Sequence, residues 1–155
     1  MVLHAECCDD GVAITVRPIT LDDVERTVEV LCAVTGGPAM AEDFRHDALE
    51  QARGEIANSV TNAICWDGQH VGRLRVVRLP ELIEIAGLQV HPDWQNRGIG
   101  TTVVTAILTE GSSTGLPVEL DVAKDNADAR RLYERLGFEQ IREEDRDYRM
   151  RHPAR

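Results

Sequence analysis

The sequence predicts a single α/β domain built on a mixed, mostly antiparallel sheet flanked by helices. Three observations predict it. The chain has 155 residues, 43% of them hydrophobic, which is the size of one domain whose core needs no disulfide or metal. Three strand-like segments follow one another between residues 61 and 91, as in an antiparallel meander. Helical patterns then alternate with strands, as in a crossover connection.

Residues 1–12 are polar and have no period, so we expect a flexible tail there and the domain at residues 13–155. The first half of the domain contains, in order, a strand at 13–17, helices at 21–34 and 41–57, and strands at 61–66, 70–79 and 83–91. Thr20 suits the N-cap of the first helix, because its hydroxyl can accept from an amide of the first turn. Asp67-Gly68 predicts a type I′ hairpin turn, since both positions need positive φ.

The second half continues with a helix at 98–110, a strand at 118–122, a helix at 126–136 and strands at 138–141 and 147–151. Ile99, Val103 and Ile107 recur at helical spacing and predict the buried face of the first of these helices. Gly137 lies where a left-handed helix end is expected. Gly87, in the middle of the preceding strand, predicts a bulge or a close backbone approach.

The charge distribution excludes some partners and favours others. The net charge is -10 and the 17 Lys and Arg residues form no basic stripe, so nucleic acid is not expected as a partner. An acidic protein attracts cationic ligands such as amines. No apolar stretch resembles a signal peptide or a bilayer span, and the four cysteines have neither a disulfide-framework nor a zinc-site spacing. We therefore expect a cytoplasmic protein with reduced thiols, no metal and no membrane contact.

A glycine-rich loop at residues 95–100 carries the first chemical signal. Free backbone N–H groups at a helix N-terminus bind anions, and glycine lets a phosphate approach the backbone. A dinucleotide fold would need a third glycine where Val103 stands, and a Walker loop would need a lysine after Gly100, where Thr101 stands. The loop therefore predicts another phosphate-bearing ligand, and the glycine-rich start of an ordinary helix is the alternative interpretation.

A second motif, N-x-x-A-x-x-x-Y-x-x-x-G-F, covers residues 126–138. Together with Q-x-x-G-x-G at the glycine loop, it resembles the GNAT family of acyl-CoA N-acyltransferases, and the predicted order β-α-α-β-β-β-α-β-α-β-β resembles that family over residues 13–151. The resemblance implies a GNAT-like fold, acetyl-CoA as co-substrate, and acetyl transfer to a primary amine of a small molecule or peptide. It leaves the acceptor, the acyl-chain preference and a homodimer open.

For the donor, the resemblance implies two binding segments. The pyrophosphate would lie on the backbone amides of the glycine loop, and the pantetheine arm would run beside the strand before it, where a backbone N–H polarises the thioester carbonyl. Asn126 matches a residue that contacts the pantetheine or stabilises the splayed strands, and a helix N-cap is its alternative role. The residues expected to bind the donor are Leu88, Gln89, Val90, Gln95, Asn96, Arg97, Gly98, Ile99, Gly100, Thr101 and Asn126.

Two residues are expected to catalyse the transfer. Tyr133 matches the general acid of the family, and a phenol with a pKa of about 10 can protonate a thiolate whose conjugate acid has a pKa of about 8.5. A core role on an apolar helix face is the alternative for Tyr133. Glu84 matches the catalytic glutamate of the histone-acetylating members and is expected to take the proton of the amine, directly or through water. An exposed strand carboxylate is the alternative for Glu84, and Glu119 and Asp121 compete for the role of base.

Two other functions compete with this hypothesis. The segment at residues 111–115 fits G-x-S-x-G, and Asp121 and His152 follow it in the order of a hydrolase triad. A nucleophile elbow needs a strand that leads into a helix, however, and this segment is expected to be a helix-to-strand loop. A non-catalytic acyl-CoA-binding regulatory module of the same fold is the second alternative.

Overall fold

The structure is a computed structural model, and it describes residues 3–6, 12–35 and 37–154. Its strands are β1 (Leu3–Glu6), β2 (Ala13–Pro18), β3 (Ser59–Trp66), β4 (Gln69–Arg78), β5 (Ile83–Val90), β6 (Val118–Ala123), β7 (Glu139–Glu143) and β8 (Asp147–His152). Its helices are α1 (Val24–Thr35), α2 (Ala41–Ala52), α3 (Ile99–Thr114) and α4 (Ala127–Arg135). Short 3-10 turns lie at Leu21–Asp23, Pro38–Met40 and Pro92–Trp94.

Within the described residues, eight strands form one sheet in the order β1-β2-β3-β4-β5-β6-β8-β7. Neighbouring strands are antiparallel except β5 and β6, which are parallel and joined by the crossover helix α3. Asp67 and Gly68 form the turn between β3 and β4 with φ of 49° and 84°, as predicted. The α/β class and the mixed, mostly antiparallel sheet are thereby confirmed.

The two faces of the sheet carry different helices and different cores. The larger core, under α3 and α4, contains fully buried residues such as Leu74, Ile107 and Leu120. A smaller cluster lies where α1 and α2 pack on β3 and β4, and it contains Val24 and Ala48. The burial of these apolar side chains supplies the main favourable free energy of folding. The second face of β6 and β8 carries charged side chains instead.

Two helices end at other residues than predicted. Helix α2 ends at Ala52 rather than near residue 57, because the chain turns through Gly54 with φ of 70°. Helix α3 continues to Thr114 and ends at Gly115 with φ of 73°. Gly111 lies inside α3, where a Cβ would come within 2.8 Å of the carbonyl oxygen of Leu116. The G-x-S-x-G segment therefore forms the last turn of a helix, and the prediction of a loop there is wrong.

A strand occupies part of the expected N-terminal tail. Strand β1 pairs antiparallel with β2, with Leu3 opposite Val16 and Glu6 opposite Ala13. It completes the hydrogen bonding of an edge of β2, so the prediction of a flexible tail at 1–12 is wrong for these 4 residues. Cys7 and Cys8 lie outside the described residues. None of the helices in the described part of the chain combines the length and the apolar character needed to cross a membrane.

Candidate active site

The candidate catalytic residues meet where β5 and β6 separate. The parallel pairing of the two strands ends at Ile85 and Leu120. Immediately afterwards the register between β4 and β5 passes from Ile85 to Gly87, which leaves Ala86 as the extra residue of a bulge. The bulge predicted from Gly87 is therefore present. Beyond it a cavity of about 260 Å³ opens between the strands.

The glycine loop enters α3 through two residues in the left-handed region. Asn96 has φ of 63°, and Gly98, the N-cap of α3, has φ of 79°. Thr102 closes the first turn by donating its amide and its hydroxyl to the carbonyl oxygen of Gly98, at 3.0 and 2.9 Å. A helix leaves the amides of its first turn without intrahelical acceptors, so those of Ile99, Gly100 and Thr101 are available to an anion.

A second cavity, of about 590 Å³, lies between this loop and α4. Four residues line both cavities, namely Leu88, Asn126, Ala129 and Tyr133. The two cavities are therefore parts of one cleft, called the donor cleft below. It runs from the N-terminus of α3 to the gap between β5 and β6.

Tyr133 and Asn126 lie at the junction of the two cavities. Tyr133 is 8% exposed, and its ring packs edge-on against Phe138 with the centroids 5.7 Å apart. Burial raises the pKa of the Tyr133 phenol, so the hydroxyl stays protonated throughout the neutral range. Asn126 is the N-cap of α4, since its Oδ1 accepts from the amide of Ala129 at 3.2 Å. Asn126 thus combines the cap geometry with a place in the cleft.

The residues predicted to hold the pantetheine arm point to both sides of β5. Leu88 and Val90 pack against the larger core and line the donor cleft. Gln95 fixes the strand end to the glycine loop by donating its Nε2 to the carbonyl of Val90 at 2.9 Å. The side chain of Gln89 lies toward the opposite face, where its Oε1 accepts from Nη1 of Arg73 at 3.0 Å.

Cationic side chains near the glycine loop take two positions. Arg97, predicted to bind the donor, places its guanidinium over the rings of Trp94 and Trp66, at 4.8 and 5.7 Å from their centroids, and does not line the donor cleft. Arg131 and Arg135 lie one turn apart on α4 and line the cleft at the loop. Neither arginine was among the predicted binding residues, although their spacing of four on the helix that carries the second motif indicates a shared face.

Glu84 belongs to a cluster of charged side chains that β5, β6 and β8 bring together. Arg149 is 8% exposed and reaches Oε2 of Glu84 at 2.6 Å, Oε1 of Glu119 at 3.0 Å and Oδ2 of Asp121 at 3.4 Å. Arg151 lies 3.6 Å from Oε2 of Glu119. Burial alone would lower the pKa of the Arg149 guanidinium, but its hydrogen bonds to Glu84 and Glu119 raise that pKa above its ordinary value. These residues are called the Arg149 cluster below.

The Arg149 cluster was only partly visible in the sequence. Glu84, Glu119 and Asp121 stand out as strand carboxylates, but Arg149 was missed. Its pairing opposite Asp121 depends on β8 lying beside β6 rather than beside β5. That neighbour relation is a property of the sheet order, which a local motif does not contain.

A model of the acetyltransferase (GNAT) family matches residues 26–138. The chain belongs to the GNAT family of acetyltransferases. The match covers both candidate catalytic residues, most of α1 and every element from α2 to α4, and the two motifs that indicated the family fall within it.

One sequence relative and two solved structures are similar to this chain. A mycothiol acetyltransferase of Nocardiopsis dassonvillei is 41% identical over 73 residues, which are 46% of this chain and 19% of that protein. The matched segment is therefore about a fifth of the length of this curated relative. The PaiA N-acetyltransferase of Thermoplasma acidophilum, solved with coenzyme A, superposes with a TM-score of 0.73 at 16% identity, covering 91% of this chain and 99% of that chain. The ribosomal-protein-S18-alanine N-acetyltransferase of Escherichia coli gives 0.72 at 19% identity, covering 91% and 94%. These two structures share the fold of this GNAT protein.

Proposed function

We propose that the protein transfers the acetyl group of acetyl-CoA directly to a primary amine of a small molecule or peptide. The donor cleft is the observation that carries this proposal, because it joins an anion-binding helix N-terminus to a buried phenol at the gap between β5 and β6. The pyrophosphate would bind the amides that follow Gly98, with Arg131 and Arg135 adding positive charge for the phosphates. The pantetheine arm would run along residues 88–90 and bring the thioester to Tyr133.

The proposed reaction needs two proton transfers and no covalent enzyme intermediate. The amine nitrogen forms a bond to the carbonyl carbon of the thioester, and the carbon–sulfur bond breaks. A backbone N–H of residues 88–90 stabilises the oxyanion. Tyr133 donates its proton to the leaving thiolate, and the raised pKa of its phenol keeps that proton available. Glu84 accepts the proton of the amine, directly or through water, and solvent then restores both residues.

The Arg149 cluster supports a cationic acceptor. Its three carboxylates, Glu84, Glu119 and Asp121, face the two cations Arg149 and Arg151, so the cluster carries one more negative than positive charge. The net charge of -10 attracts an ammonium group from a distance as well. The relatives named above are a mycothiol acetyltransferase and an enzyme that acetylates an alanine of a ribosomal protein, so one name refers to a small molecule and the other to a protein. Small-molecule and protein amines therefore both belong in the test.

One observation favours the alternative, a non-catalytic acyl-CoA-binding regulatory module. Nη1 of Arg149 lies 2.6 Å from Oε2 of Glu84, so one oxygen of the proposed base is already engaged. A module of this kind would bind the donor in the same cleft without transfer. Turnover decides between the two functions.

The test is the release of coenzyme A thiol from acetyl-CoA across a panel of amines, with Tyr133→Phe as the control. The panel contains a polyamine, an amine-bearing antibiotic, a lysine peptide and a peptide with a free N-terminus. We expect release with at least one amine, and its loss in Tyr133→Phe. Tight binding of coenzyme A without release on any amine would establish the regulatory module instead.

We also infer a cytoplasmic location. Acetyl-CoA is a metabolite of that compartment, and the thiols of Cys32 and Cys65 are not joined in a disulfide. Fractionation of cells that express the full chain tests this inference, and recovery of the protein outside the cytoplasm would contradict it.

A further inference from the structure

Arg73 lies across the bulge of β5. It pairs with Gln89 in the ladder between β4 and β5, and its side chain extends diagonally over Gly87. Nη1 of Arg73 lies 2.5 Å from the place that a Cβ on Gly87 would take, and the same nitrogen donates to Oε1 of Gln89 at 3.0 Å. One guanidinium thus contacts the residues on each side of Leu88, which lines both parts of the donor cleft.

The charge of Arg73 is only weakly compensated. The residue is 8% exposed, and its ion-pair partner, Asp47 of α2, is 3.6 Å away with 36% of its own side chain exposed. Burial lowers the pKa of the Arg73 guanidinium more than Asp47 raises it, and Arg75 lowers it further. An apolar side chain would cover Gly87 without the cost of removing a charge from water. Simple filling of space therefore does not explain an arginine at this position.

We propose that Arg73 is a positioning residue for acetyl transfer, which holds the β5 bulge in the conformation that presents the backbone N–H groups of residues 88–90 to the donor cleft. The chemical part of this inference rests on the proposed function, and the geometric part does not. Donors that stabilise an oxyanion must be fixed before the charge develops, because reorganisation during the reaction would cost rate. Arg73 fixes them from the opposite face of the strand.

The first test replaces Arg73 by methionine, which keeps much of its length and removes the charge and the hydrogen bonds. We expect kcat to fall about 10- to 100-fold in Arg73→Met while KM for acetyl-CoA is little changed, because misplacement of a catalytic group acts on the transition state. Arg75→Met is the matched control, since Arg75 lies on the same face of β4 but donates to Oγ of Ser59 at 2.9 Å. Equal kcat in Arg73→Met and Arg75→Met, at matched thermal stability, would overturn the proposal.

The second test uses the contact between Arg73 and Gly87. In Gly87→Ala the new methyl group must displace the end of a flexible side chain, so kcat should fall while the melting temperature changes little. In the background of Arg73→Met the same methyl group meets no guanidinium, and we expect it to have almost no further effect. Strict additivity of the two changes would overturn the proposal.

The third test needs neither donor nor acceptor. Amide hydrogen exchange of residues 87–90 in the free protein should be about tenfold faster in Arg73→Met than in the wild type or in Arg75→Met, because the bulge opens more often. Unchanged exchange would overturn the role of Arg73 even in an inactive protein. Faster exchange in Arg73→Met, combined with a wild-type protein that releases no thiol on any amine, would contradict the proposed function alone.

Discussion

The two sides of the active cleft are built from different materials. The proposed donor side consists largely of backbone, namely the first turn of α3 after Gly98 and the edge of β5 beyond its bulge, with the Tyr133 side chain at its inner end. The proposed acceptor side consists of side chains that β5, β6 and β8 bring together around Arg149. A site made of backbone groups requires small residues at fixed positions, so it is visible in the sequence as a short motif. A site made of side chains depends on strand order and register, so no short motif marks it in the sequence.

The two sides of the cleft should respond differently to substitution. Changes on the donor side should act alike in any protein with this loop, through binding of acetyl-CoA or protonation of its thiolate. Changes on the acceptor side should act on the amine and on its proton. Substitutions on each side therefore separate effects on the donor from effects on the amine.

Loss of the Tyr133 hydroxyl should remove the chemistry of the donor side while leaving its fold intact. We expect Tyr133→Phe to lower kcat about 10²- to 10⁴-fold with KM for acetyl-CoA unchanged, since a general acid acts in the transition state. The packing of its ring on Phe138, at 5.7 Å between centroids, is kept in the variant. Steady-state thiol release measures both constants, and an unchanged kcat would remove Tyr133 from the reaction.

The pH dependence of the rate in the wild type and in Tyr133→Phe tests whether the phenol of Tyr133 supplies the proton. Tyr133 acts while it is protonated, and burial raises the pKa of its phenol. The wild-type rate should therefore persist as pH rises past the ordinary phenol pKa of about 10 and fall only above the raised pKa. Tyr133→Phe should lack this alkaline fall. A fall at the same pH in both proteins would assign the alkaline limb to another group.

Removal of the base tests the acceptor side. We expect Glu84→Gln to lower kcat about 10²-fold at neutral pH, and the rate to recover as pH rises toward the amine pKa of about 10.4 for a lysine-like acceptor, where the amine loses its proton without help. Asp121→Asn is the matched control, because Asp121 also faces Arg149, at 3.4 Å. The opposite result, loss in Asp121→Asn and none in Glu84→Gln, would transfer the role of base to Asp121.

The two left-handed glycines of α3 separate donor binding from stability. Gly98→Ala should raise the Kd of coenzyme A about tenfold, because a left-handed alanine costs roughly 1–2 kcal/mol and relief of that strain moves the phosphate-binding amides. Gly115→Ala, at the other end of the same helix with φ of 73°, carries the same backbone penalty far from the loop. Calorimetric titration with coenzyme A should show weaker binding in Gly98→Ala only. Equal weakening in both variants would mean that the loop is not the phosphate site.

The smallest expected effect concerns the phosphates of the donor. Arg135→Ala should raise KM for acetyl-CoA about two- to fivefold at low salt, because an exposed cation contributes little to binding and salt screens it. Arg142→Ala removes a cation that pairs with Glu144 outside the cleft, and it should have no effect. The comparison is repeated with 3′-dephospho-acetyl-CoA. If Arg135→Ala raises KM by the same factor for this donor as for acetyl-CoA, Arg135 acts on the pyrophosphate rather than on the 3′-phosphate.

Much of the fold could be predicted from the sequence, and so could the part of the candidate site that local motifs form. The hairpin turn at Asp67-Gly68 and the bulge at Gly87 followed from the φ angles and the space that glycine permits. Strand β1 and the last turn of α3 were missed, because four residues give too short a period and a glycine inside a helix resembles its end. Gly111 is explained only by its contact with Leu116, which a sequence does not show.

The burial of Arg73 and Arg149 depends on tertiary structure in the same way. The alternation of side chains along their strands indicates which face of the sheet each residue occupies, but not which residues surround it there. Arg73 is buried by α2 and the bulge, and Arg149 by carboxylates from two other strands. The charged part of the cleft therefore could not be predicted without the order of the strands in the sheet.

A crystal structure of the complex with coenzyme A tests most directly whether the two cavities form one donor site. We predict pyrophosphate oxygens within about 2.7–3.2 Å of the backbone nitrogens that follow Gly98, and the sulfur within hydrogen-bonding reach of the Tyr133 hydroxyl. The pantetheine arm should lie beside residues 88–90, between β5 and β6. Coenzyme A bound with its sulfur outside this gap, or with its pyrophosphate away from the N-terminus of α3, would contradict the proposed site.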